Sequence, residues 1–161
     1  MYRPMLIRRA GWLTAASAAI CLIGAHSLAQ TSADDRLMQQ ESASLKAVCG
    51  MCHNLQVVLD ARMSYDAWHD TVQSMIDRGA QASDEQLDDV MDYLHRNLTT
   101  INVNRSDSEE LGIVLEAPDA VVKAIIARRK TRRFESLSDL KTVAGINAAV
   151  LDAKARLVFF Q

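Results

Sequence analysis

The residues best equipped for chemistry are Cys49, Cys52 and His53, which stand together in the run Cys49-Gly50-Met51-Cys52-His53. Two thiols at this spacing can close a disulfide, cycle as a redox dithiol, ligate zinc or form two thioether bonds. A disulfide here closes a loop too short to constrain much of the unfolded chain. A thioredoxin-like dithiol wants a βαβ setting, and zinc wants a second cysteine or histidine pair at short spacing; the sequence offers neither. Thioether chemistry uses every position. The cysteines take the two vinyl groups of a porphyrin, Gly50 and Met51 set the loop, and His53 reaches the iron from one face. The pentad predicts one covalent haem c, anchored by Cys49 and Cys52, with His53 as proximal ligand.

Such attachment takes place outside the cytoplasm, on thiols accessible in an unfolded chain, and the N-terminus predicts export. Arg3, Arg8 and Arg9 precede the apolar run from Ala10 to Ile23, and small residues at Ser27 and Ala29 suit cleavage after Ala29. Residues 1–29 are therefore expected to be a signal peptide, read by the general secretory route into the periplasm. The alternative, an uncleaved anchor, has to include Gly24 and His26 to approach the length of about 20 residues that a span requires. Cleavage removes Cys21, whose preceding Ile20 is too bulky for a lipoprotein cleavage box. Only the two pentad thiols then remain, and no membrane span is expected after cleavage.

The 161-residue chain changes character along its length. Residues 30–100 carry 12 acidic against 5 basic side chains, and residues 101–161 carry 8 against 10. This divides the chain into 30–100 and 101–161, joined by the polar, β-branched Leu98 to Asn104, which reads as a seam rather than a tether.

Helical periodicity dominates, and no alternating strand is predicted. The first half reads as a helix from Leu37 to Val48 leading into the pentad, then two capped helices. Ser64 caps one that presents Trp68, Val72, Met75 and Ile76 and stops at Gly79. Ser83 and Gln86 form a capping box for another that presents Leu87, Val90, Met91 and Leu94. Three short helices bury too little apolar surface alone, and a haem would complete their core.

Ala43 to Leu98 resembles a short class of bacterial cytochrome c domain: a haem pentad, then Trp68, Val72 and Met75 on one helix, then Arg78-Gly79-Ala80, then an acidic helix containing Tyr93-Leu94. The resemblance implies Met75 as the distal iron ligand. From the residues alone, a methionine beside Val72 and Ile76 is also ordinary core filling, and Met63, Met91, His69 and His95 are rival ligands. Methionine raises the potential relative to a second histidine. Two filled axial positions imply electron transfer, and the acidic excess suits a redox partner protein with a basic patch.

Residues 101–161 resemble the paired helix-hairpin-helix domain of the competence protein ComEA. The likeness lies in Ile101-Asn102-Val103-Asn104, the helix starting near Ser108, Ala124 to Arg129, and Phe134 to Ile146 with Ser136 as a cap. It implies four short helices packed around Val103, Leu111, Val114, Ile125, Ile126, Phe134, Leu137, Leu140, Val143, Ile146 and Leu151. DNA-binding members bring backbone amides close to phosphate at glycine-containing hairpins. Here Glu116 and Pro118 stand in the glycine positions of the first hairpin, one repelling phosphate and the other lacking an N–H. The second keeps Gly145 and has Asn147, a residue that tolerates a left-handed backbone. Arg128, Arg129, Lys130, Arg132 and Arg133 form a basic run that could meet DNA or an acidic protein surface; as a helix end it also complements the dipole.

The expectation is an all-α chain: a small cytochrome c-like haem domain followed by a paired helix-hairpin-helix domain that docks or packs. No Ser-His-Asp set, paired catalytic carboxylates or phosphate loop points to an enzyme. A DNA-binding or uptake factor carrying a haem, and a haem-based sensor, are the competing readings.

Overall fold

The computed structural model describes residues 43–161. The signal expected over 1–29, Cys21 within it, and the beginning of the helix expected from Leu37 lie outside the described residues. What is described is mostly helical, and among the described residues no helix is long and apolar enough to cross a membrane.

Residues 43–49 are helical (α1), so the helix delivers Cys49 itself to the pentad loop. The short α2 (Gln56–Asp60) follows. The sequence-predicted caps then start the longer helices. Ser64 accepts from the Ala67 amide to begin α3 (Tyr65–Asp77). Ser83 and Gln86 form the reciprocal capping box of α4 (Asp84–Leu98). The carbonyl end of α4 is closed from two sides. Trp68 Nε1 donates to the Leu98 carbonyl at 3.3 Å, and Lys154 Nζ donates to the Arg96 carbonyl at 3.0 Å. A cation at that end also complements the helix dipole.

Beyond α4 come α5 (Ser108–Leu115), capped by Asp107, and α6 (Asp119–Arg129). They are followed by α7 (Leu137–Leu140), capped by Ser136, and α8 (Ala148–Ala153). Two short strands, β1 (Ile101–Asn102) and β2 (Val158–Phe159), pair in parallel, Ile101 with Val158 and Asn102 with Phe159. These strands depart from the expectation that none would form. Their reason lies in Ile101-Asn102-Val103-Asn104: Ile101 and Val103 are buried, while the asparagines act as ties. Asn102 Nδ2 donates to the Gln161 carbonyl at 2.8 Å. Asn104 donates to the carbonyls of Phe134 and Phe160 and accepts from the Phe134 amide.

Buried apolar side chains form two clusters. One contains Leu45, Val48, Trp68, Val90, Tyr93, Leu94 and Leu98. The other begins at Ile101 and is built on Leu111, Val114, Ile125, Phe134, Leu140 and Leu151, with Ile126 and Ile146 packed against it. Leu115, Val121, Val122 and Leu157 join it without having been expected. The joint between the clusters is buried rather than loose: Leu98, Thr99, Ile101 and Val103 are all inaccessible, and α4 packs on α5. Lys154, only 9 % exposed, adds an ion pair to Glu116 at 2.6 Å. Its ammonium thus joins the first hairpin of the second half to the end of α4.

Candidate functional site

A cavity of about 370 Å³ opens between the pentad, α2, α3 and α4. Its volume lies within the range of about 300–1,000 Å³ usual for ligand sites. Cys49, Cys52 and His53 line one part of the wall, and Met75 lies on the wall contributed by α3, beside Trp68, Val72 and Ile76. Val90 and Leu94 close it from α4. The predicted pentad residues and Met75 therefore meet at one mostly apolar space. Among the described residues, Arg78, at the end of α3, is the only lysine, arginine or acidic side chain on its lining.

The rival ligands separate by position. Met63 also lines the cavity. Met91 packs against the first cluster but is not among the lining residues. His69 is largely exposed, with Asp70 at 4.0 Å. His95 follows Leu94 on α4 and so points about 100° further round the helix; Leu94 lines the cavity and His95 a different cleft.

Local backbone geometry explains why Met75 is held firmly. Gly79 has φ of 99°, the left-handed region that glycine enters without cost. Its amide donates to the Ile76 carbonyl at 2.8 Å, and the next amide, of Ala80, donates to the Met75 carbonyl at 3.0 Å. These two bonds are a Schellman closure. The Arg78-Gly79-Ala80 segment thereby fixes the backbone of Met75, a physical role for a motif that sequence could only match by resemblance.

The two thiols differ. Cys49 is half-buried and Cys52 exposed, and neither is in a disulfide. Burial pushes the Cys49 thiol above its ordinary pKa. Redox-active dithiols rely on the opposite, a thiol depressed by a helix N-terminus or nearby cation; Cys49 instead sits at the C-terminal end of α1 in apolar surroundings. Nor does any group of three or more His, Cys, Asp or Glu side chains among the described residues have the arrangement of a metal cage. The His53 Nδ1 lies 3.3 Å from the Asn54 carbonyl. A carbonyl only accepts, so that contact favours the proton on Nδ1 and leaves the Nε2 lone pair for a metal. Two thiols, an imidazole and thioether sulfurs around an apolar cavity fit a covalently attached haem.

A second cleft of about 630 Å³ lies where the two clusters meet, bordered by Tyr65, His95, Arg105, Asp107, Glu109 and Glu110. His95 is 8 % exposed. Its ring lies 4.3 Å from that of Tyr65, and its Nε2 is without a hydrogen-bond partner. Burial lowers its pKa, with Glu110, Glu109 and Asp92 pulling the other way and Arg96 adding to the lowering. A histidine held neutral in the fold contributes stability fully above the unfolded value of about 6.5. That contribution is lost as pH falls below it, because the unfolded chain then binds a proton the folded chain resists. Denaturation midpoints measured between about pH 8 and about pH 5 are expected to drop more for the wild-type chain than for His95→Leu. Parallel profiles would show that burial of His95 carries no such linkage.

The second half presents fewer phosphate-binding groups than its sequence suggests. Asn147 is extended, with φ of −84°, and not left-handed; its side chain accepts from the amides of Ala149 and Val150 and so occupies donors that a phosphate would need. Glu116 instead takes the left-handed turn, with φ of 49°, and pairs with Lys154. The basic run is partly spent within the fold. Arg128 and Arg132 both pair with Asp139; desolvation raises the pKa of its carboxyl, but the Glu135 amide and then the two guanidinium groups outweigh it and hold the carboxyl below the usual carboxylate range. Arg128 also lies over the Phe134 ring, and Arg129 donates to the carbonyls of Val103 and Ser106. These ties depend on residues distant in sequence, which is why the run looked free.

No protein-family model, curated protein or solved structure matches this chain.

Proposed function

We propose that the protein is an exported, single-haem c-type cytochrome that carries electrons, with residues 30–100 as its haem domain and residues 101–161 as a helix-hairpin-helix module that docks or packs. The observation that carries this reading is the convergence of Cys49, Cys52, His53 and Met75 on one apolar cavity. When bound, the haem supplies a one-electron couple between ferric and ferrous iron. The chain does the rest. Cys49 and Cys52 would hold the group covalently, His53 and Met75 would ligate its iron, and Trp68, Val72, Val90 and Leu94 would keep water away from it. Arg78, on the cavity lining, would offset the negative charge of the haem's carboxylates. The acidic excess of residues 30–100 supports encounter with a basic redox partner.

This reading favours transfer over catalysis, since His53 and Met75 together would leave the iron no open position for a substrate. Purified protein is expected to titrate in a single reversible one-electron step and, in the ferrous state, to bind carbon monoxide slowly or not at all. Ready carbon monoxide binding would move the assignment to a haem-based sensor. For the DNA-binding alternative, Lys130 and Arg133 are the members of the basic run that form no ion pair or side-chain hydrogen bond among the described residues. The buried junction and the Lys154 tie support a packing role for the second half instead.

A further inference from the structure

We propose that Met63 is a second axial sulfur for the same iron, able to take the sixth position from Met75, and that the junction with the second half governs its access. The inference rests on the haem reading and goes beyond it. Met63 and Met75 both line the cavity, but they are anchored in different ways. Met75 is fixed at the end of α3 by the turn at Gly79. Met63 lies outside any helix, and its backbone pairs in parallel with Thr99. Its carbonyl accepts from the Thr100 amide at 2.8 Å. Thr99 and Thr100 lead directly into β1, which pairs with β2 at the far end of the second half. One methionine is therefore held by the haem half alone, and the other by the strip joining the halves.

The Met63 sulfur is also left free to donate. Thr71 Oγ1 lies 3.9 Å from it, but that hydroxyl has one hydrogen and a much closer acceptor, the Ala67 carbonyl at 2.7 Å. Thr71 thus contacts the sulfur without needing its lone pairs. Methionine is unbranched and adaptable, which suits a ligand that exchanges. In the exchange one iron–sulfur dative bond breaks and another forms; no proton or electron is gained or lost, so the iron keeps its oxidation state.

The test uses the full haem-loaded chain with Met63→Leu, Met75→Leu and the double variant, since leucine keeps volume and packing. The readouts are the weak long-wavelength absorption band that methionine gives ferric haem, and carbon monoxide binding to the ferrous form. The expected result is that each single variant keeps the band, at reduced intensity in Met75→Leu, while the double variant loses it and binds carbon monoxide readily. Adding Thr100→Pro to Met75→Leu removes the amide that anchors Met63 and is expected to reduce the remaining band further. If Met75→Leu alone loses the band as completely as the double variant, the proposal is overturned and the carrier reading with Met75 stands. If the double variant keeps the band, both methionine assignments fail. A wild-type chain carrying no covalent haem would overturn the proposal together with the reading beneath it.

Discussion

Replacing both pentad thiols, Cys49→Ala with Cys52→Ala, is expected to give a chain without covalent haem whose first half has lost cooperative structure while its second half keeps it. Among the described residues the first cluster has seven buried apolar members, and it borders a cavity of about 370 Å³. At about 24 cal/mol per Å³ an empty space of that size corresponds to roughly 9 kcal/mol. The cavity is open to solvent, so this is an upper bound, yet it is comparable with the whole stability of an ordinary domain, about 5–15 kcal/mol. The second cluster is larger, with thirteen buried apolar members among the described residues. Amide hydrogen exchange read segment by segment checks the result: fast exchange in α3 and α4 with protection retained in α5 and α6. Equal protection in both halves would show that the first half folds without the group.

The second large effect is expected at Trp68. This side chain is 2 % exposed, forms part of the cavity wall and donates to the last carbonyl of α4. It therefore joins α3 to the end of α4 by packing and by a hydrogen bond at once. Truncating a buried tryptophan costs about 3–5 kcal/mol, a large share of a small domain's margin. Trp68→Ala should yield little haem-loaded protein, and what is obtained should unfold at a much lower denaturant concentration. Trp68→Phe keeps most of the packing and loses the donor, worth about 1 kcal/mol, so it should retain haem with a modest loss. Wild-type behaviour of Trp68→Phe would remove the cap at Leu98.

Local chemistry was legible in the sequence. Ser64, Ser83 with Gln86, and Ser136 cap the helices they were expected to cap, because a cap is settled by residues two or three positions away. The face of Trp68, Val72, Met75 and Ile76 was equally plain from helical spacing, and it lines the cavity with the pentad. What escaped was set by distant partners. Ile101-Asn102-Val103-Asn104 does alternate, but only a β2 from the other end of the second half makes it a strand. Asn147 could have adopted a left-handed turn; the two free amides at the start of α8 make a better use of its side chain. Nothing near Arg128 announces Asp139 as a shared acceptor for Arg128 and Arg132, and nothing near Lys154 announces that its ammonium would be buried against Arg96 and Glu116. Met63 was legible only as a rival ligand, because its anchorage at the cavity goes with its pairing to the distant Thr99.

The central claim is that Cys49 and Cys52 hold a haem through carbon–sulfur bonds. Intact mass of the full chain, exported from cells equipped for c-type haem attachment and then denatured in the presence of an alkylating reagent, tests it directly. The expected mass is that of the chain increased by one haem, with neither cysteine alkylated. A haem-free chain whose Cys49 and Cys52 are alkylated, or are joined to each other in a disulfide, would contradict it.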